Sequence, residues 1–75
     1  MPLKYKIIID ILNDHWFRKT RSKWSHTRYE KEWLWLTVWF HSEYPPKTAK
    51  SMLNDIARIS GLDYKDLIKK YNIKL

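Results

Sequence analysis

Between Arg18 and Lys31 the chain holds six cations, Arg18, Lys19, Arg21, Lys23, Arg28 and Lys31, against one carboxylate, Glu30. Trp24 and Tyr29 stand among them, Trp16 and Phe17 lie near or just before the segment, and Thr20, Ser22, Ser25 and Thr27 add hydroxyls. Cations neutralise phosphates and planar rings stack on bases, so this mixture has the chemistry that holding nucleic acid requires. The expected phosphate contacts are the six cations, with Trp24 and Tyr29 as stacking rings. The same residues would also suit a solvated strand-and-loop surface whose tryptophans turn inward.

Other site chemistry is thin. His15, His26 and His41 are separated by 11 and 15 residues, so no two sit at a spacing that puts two metal ligands on one helix face or hairpin. Asp14 and Glu43 could assist a histidine only if the fold gathered them. With no cysteine there is no thiolate, and a single glycine, Gly61, leaves no glycine-rich phosphate loop. The expectation is a non-enzymatic protein without metal or cofactor.

The stretch from Trp33 to Phe40, WLWLTVWF, has three tryptophans and no charge. As a strand it would send Leu34, Leu36, Val38 and Phe40 one way and Trp33, Trp35, Thr37 and Trp39 the other, making both faces apolar. A short chain has little with which to cover the second face. Candidate covers are Trp16, Phe17 and Trp24 of the basic segment, a second copy of the chain, a partner protein, or bases. Trp33, Trp35 and Trp39 are therefore the expected protein interface.

The elements that must position these groups are clearest in the second half. Ala49, Met52, Leu53, Ile56 and Ile59 repeat at helical offsets, giving an amphipathic helix over 48–60 with Thr48 as N-cap. Pro45-Pro46 excludes helix upstream, and Gly61 with Leu62 ends it. A second helix over 63–71 is capped by Asp63, with Tyr64, Leu67, Ile68 and Tyr71 on one side; Asn72 and Ile73 supply its stop.

In the first half, residues 4–12, KYKIIIDIL, fit both a strand alternation and a helical stripe of Tyr5, Ile8, Ile9, Leu12 and Trp16. β-branched content favours the strand, with Asn13-Asp14 as its turn. Thr27 to Glu30 matches a helix-capping box, yet Trp33 to Phe40 is strand-like in composition. Residues 16–29 read as a second strand and loop or a hairpin arm, although the absence of glycine before Gly61 argues against two-residue hairpin turns. The expected fold is α+β, a small antiparallel sheet from the first 41 residues packed on the two C-terminal helices. The alternative is a four-helix bundle with boundaries near 3–19, 27–43, 48–60 and 63–71.

The helical pair resembles the helix-turn-helix module of DNA-binding proteins in Ala57, Gly61, Leu62 and Leu67, over roughly a quarter of the chain. That resemblance implies Tyr64, Lys65 and Lys69 as helix contacts. Two positions depart from it: Ser60 stands where an apolar residue packs, and Asp63 and Asp66 open the helix that would approach phosphate.

Whole-chain properties bound these readings. Seventy-five residues make a single domain, and the net charge of +7 attracts anions, whether nucleic acid, acidic proteins or anionic membranes. No apolar run is long enough to span a bilayer, and Met1 to Lys6 show no leader pattern, so no membrane partner is expected and the expected location is intracellular, cytoplasmic or nucleoid-associated. The expected function is a small nucleic-acid-binding regulator or accessory factor, with DNA or RNA as partner. The alternative is an inhibitor or adaptor docking a tryptophan-rich basic surface onto an acidic partner protein, a design that suits a virus or mobile element. A homodimer would serve the same apolar surface.

Overall fold

The computed structural model describes residues 2–75, leaving Met1 outside. The elements run β1 (Leu3–Lys4), α1 (Tyr5–Asp14), β2 (Arg18–Lys23), β3 (His26–Lys31), β4 (Leu34–Trp39), β5 (Glu43–Tyr44), α2 (Pro46–Ser60) and α3 (Tyr64–Lys70). Strands β2, β3 and β4 form an antiparallel meander in that order, while β1 pairs with β5 as a separate two-stranded clasp. The architecture is α+β. The four-helix alternative fails because 18–39 is sheet, including the Thr27–Glu30 sequence that had suggested a helix cap.

Residues 4–12 depart from the expected strand: all but Lys4 belong to α1. The helix wins because it completely buries Ile8 and Leu12 of the expected stripe together with Ile11, which that stripe did not include, and packing of that kind outweighs a propensity difference of only tenths of a kcal/mol per residue. Ile9 is only partly buried, and Trp16 falls beyond the helix and is exposed. Asn13 and Asp14 accordingly lie in the last turn of the helix.

All three helices stop by the same device. Trp16, Gly61 and Asn72 take left-handed φ values of 67°, 68° and 52°. The next residue then donates its N–H five residues back: Phe17 to Leu12, Leu62 to Ala57 and Ile73 to Ile68, at 2.8 to 3.0 Å. Gly61 and Asn72 were legible as stops. Trp16 does the same work without a glycine.

Helix α2 begins two residues before the expected Thr48, at Pro46 with Pro45 as N-cap. A proline in the first helical position lacks only an N–H that the helix leaves unused, so the Pro-Pro pair starts the helix instead of excluding it. Asp63 caps α3 as expected, its Oδ1 accepting from the Lys65 N–H at 2.7 Å.

The two hairpin turns, Trp24-Ser25 and Glu32-Trp33, are two residues long, as the pairs Lys23↔His26 and Lys31↔Leu34 require. The lack of glycine did not prevent them. Trp24 (φ 56°) and Glu32 (φ 59°) enter the left-handed region themselves.

One face of the meander builds the core. Phe17, Tyr29 and Val38 pack with Ile8, Ile11 and Leu12 of α1, Ala49, Leu53, Ile56 and Ala57 of α2, and Leu67 and Ile73. The clasp adds Leu3 and Tyr44. The Tyr71 hydroxyl donates to Asp14 Oδ2 at 2.7 Å, tying the end of α3 to the end of α1. Among the described residues no helix is long and apolar enough to cross a membrane.

Candidate nucleic-acid interface

Strand β4 alternates as its sequence demands. Leu36 and Val38 turn to the core, and Trp35, Thr37 and Trp39 turn outward. Directly paired residues of an antiparallel sheet share a face, so the register extends that outer surface across β3 and β2. It consists of three rows: Trp39, His26 and Lys23; Thr37, Arg28 and Arg21; Trp35, Glu30 and Arg18.

A register shift between Lys19 and Arg21 makes the third row possible. Strict alternation would put Lys19 beside Arg21 and Lys23. The bulge at Thr20, whose Oγ1 donates to the Arg28 carbonyl at 3.4 Å, replaces Lys19 with Arg18 on the outer face. Four cations thus meet two half-exposed tryptophans, with Glu30 the one carboxylate among the paired outer positions.

The groups touch one another. The Arg28 guanidinium lies 4.5 Å from the centre of the Trp35 ring, and its Nε is 3.4 Å from Glu30 Oε2. That Nε is buried and makes no hydrogen bond of good geometry, so the ion pair holds the guanidinium loosely. His26 and Trp39 have ring centroids 3.5 Å apart, tilted by 51°. Between them Arg21, Lys23, His26, Arg28 and Thr37 line an open depression of about 250 Å³. Its three cationic side chains and two further hydrogen-bonding side chains are complementary to a phosphate.

The residues expected from sequence divide unevenly over this geometry. Arg18, Arg21, Lys23 and Arg28 converge on the outer face. Lys19 and Lys31 occupy inner-face register positions at the sheet margin, with Lys31 Nζ 5.8 Å from the Phe17 ring. Tyr29 is corrected: at 6% exposure its ring is part of the core, and burial, with Tyr5 nearby, pushes its phenol above the ordinary range. It is not available to stack. Trp24 projects from the β2–β3 turn, its ring 5.0 Å from Lys23 Nζ.

The tryptophans expected to cover β4 do not. Trp16 and Trp24 are themselves 84% and 88% exposed, and Phe17 alone of the three turns inward. Trp33 sits in the β3–β4 turn, apart from the Trp35 and Trp39 face, and Phe40 leaves the strand to meet Tyr5 edge-on at 4.9 Å. His26 and Thr37 complete the cationic depression, and sequence reasoning missed both. Their cross-strand partners Trp39 and Arg28 are the signal, readable only once the register is known.

Tyr64, Lys65 and Lys69 lie on α3, an element of seven residues opened by Asp63 and Asp66. Ser60 keeps a buried hydroxyl without a hydrogen-bond partner, at the packing position where the helix-turn-helix resemblance was weakest. Among the described residues no three acidic or histidine side chains gather as a metal site. No protein-family model, curated protein or solved structure matches the chain.

Proposed function

We propose that the chain is a non-enzymatic accessory protein that binds single-stranded nucleic acid on the outer face of β2–β4. The observation that carries this reading is the register, which puts Arg18, Arg21, Lys23 and Arg28 on the same surface as Trp35 and Trp39. The two tryptophans stand four residue steps apart along β4, about 13 Å at the usual strand rise, with the cationic depression beside the span. Rings so placed stack on bases already splayed from a single strand, whereas a duplex would first have to be unstacked.

The test is fluorescence anisotropy with labelled single-stranded DNA, single-stranded RNA and a duplex, at 50 and 200 mM salt. Saturable single-strand binding that weakens with salt is expected, together with loss on combined Trp35→Ala and Trp39→Ala substitution. No binding at 50 mM, or duplex binding at least as tight, refutes it.

One observation favours a second reading. Trp33 and Trp16 are 79% and 84% exposed, and antiparallel pairing brings the β3–β4 turn and the start of β2 to one end of the sheet. That end suits docking to an acidic partner protein. Trp33→Ser should then abolish partner binding and leave oligonucleotide affinity unchanged.

A further inference from the structure

On the far side of Thr37 from the cationic depression lies a second pocket, of about 170 Å³, lined by Thr37, Trp39, His41, Tyr44, Thr48 and Met52. Thr37 lines both. We infer that this pocket receives one splayed base of the bound strand while the depression across Thr37 holds an adjoining phosphate, an inference that rests on the single-strand reading above. Three observations support it.

Size is the first. Cavities for drug-sized ligands run to about 300–1,000 Å³, so this pocket has room for one ring system and not for a whole nucleotide with its phosphate. The second is the division of charge. Among the described residues no lysine, arginine or carboxylate lines the pocket, whereas Arg21, Lys23 and Arg28 line its neighbour. An apolar and neutral-polar compartment beside a cationic one matches the two halves of a nucleotide.

The third is the backbone. Strand β4 is the last in the sheet, so among the described residues one of its edges pairs with no strand. The Phe40 N–H donates towards β3, to the Ser25 carbonyl at 2.7 Å, while the Trp39 carbonyl accepts from the Tyr44 hydroxyl on the opposite side. Alternate residues of an antiparallel strand direct their polar groups to opposite edges. The N–H and C=O of Thr37 therefore lie on the free edge, on the pocket's side. A donor and an acceptor at fixed separation can read the hydrogen-bonding edge of a base, between walls supplied by Trp39, Tyr44 and Met52.

Thr48 is exposed on the first turn of α2, so Thr48→Trp closes the pocket without entering the core. The probes are pentathymidylate and an abasic sugar-phosphate pentamer. The variant should bind pentathymidylate about tenfold more weakly than the wild type does and the abasic strand equally well. In methyl and imidazole NMR spectra of the wild type, both strands should move His26 and the Thr37 methyl, which line the depression, while pentathymidylate alone should also move the Thr48 and Met52 methyls. If His26 moves but the Thr48 and Met52 methyls do not, or if Thr48→Trp weakens both strands equally, the pocket is refuted while binding on the sheet stands. If neither strand moves His26, the nucleic-acid reading fails and the pocket fails with it.

Discussion

Glu30→Gln is the most discriminating substitution on the outer face, because it should improve binding. Glu30 is the carboxylate beside Arg28, 3.4 Å from its Nε, and it occupies the same row as Trp35 and Arg18. Counting Arg28 as neutralised leaves three of the four outer cations free for phosphate. Each phosphate neutralised contributes about 0.7 to the log–log salt slope of a single-strand complex, so the wild type should show about −2.1 and Glu30→Gln about −2.8. Raising salt from 50 to 200 mM would weaken the wild type about 18-fold and the variant about 50-fold. If the two converge at 1 M salt, the variant binds about eightfold tighter at 50 mM and about threefold tighter at 200 mM.

Anisotropy titration of one labelled oligonucleotide at four salt concentrations measures both slope and affinity. Loss of a partly exposed ion pair costs at most about 1 kcal/mol, which leaves the protein folded. Unchanged affinity, or weaker binding with an unchanged slope, would refute the placement of phosphate beside Arg28.

Three further predictions concern the scaffold. Trp24→Gly should leave stability within about 0.5 kcal/mol of wild type or raise it, because relief of a left-handed tryptophan offsets glycine's entropy and the lost Lys23 contact; urea denaturation showing the loss of about 3–5 kcal/mol typical of a buried tryptophan would contradict the exposed turn. Gly61→Ala should destabilise by about 1–2 kcal/mol, all of it from the φ of 68° since the new Cβ meets nothing within 4 Å, and thermal unfolding will show it. Burial, and then the Asp14 carboxylate, raise the Tyr71 phenol above its ordinary value of 10.0, so its stabilisation is complete below pH 10.0 and is lost as pH rises towards the folded value. Tyr71→Phe should flatten part of the alkaline fall in melting temperature, the remainder belonging to Tyr29 and Tyr44, whose phenols burial also raises.

The C-terminal helices were legible because each carries its period and its punctuation together: an apolar stripe, a cap at Asp63, stops at Gly61 and Asn72. Residues 4–12 were not, since three consecutive isoleucines satisfy both periods and only the surfaces available elsewhere decide between them. The meander's turns were hidden by the residues that make them, for Trp24 and Glu32 stand where glycine or asparagine is customary. The outer face was half legible. Its cations and its tryptophans were both conspicuous, but they looked like two surfaces, phosphate contacts at 18–31 and a protein interface at 33–39. Pairing merges Trp35 and Trp39 with the cations, and the bulge at Thr20 chooses Arg18 over Lys19. No local pattern encodes either event.

The placement of the five tryptophans also decides what light can report about this molecule. Every one of them is more than half exposed, from Trp39 at 53% to Trp24 at 88%, while Tyr29 and Tyr44 are enclosed. Indole emission should therefore lie close to that of the unfolded chain, making it a poor monitor of denaturation. Melting is better followed by far-ultraviolet circular dichroism of the helices. The same indoles, already in water when the protein is native, leave their spectral response free to report whatever settles on the sheet.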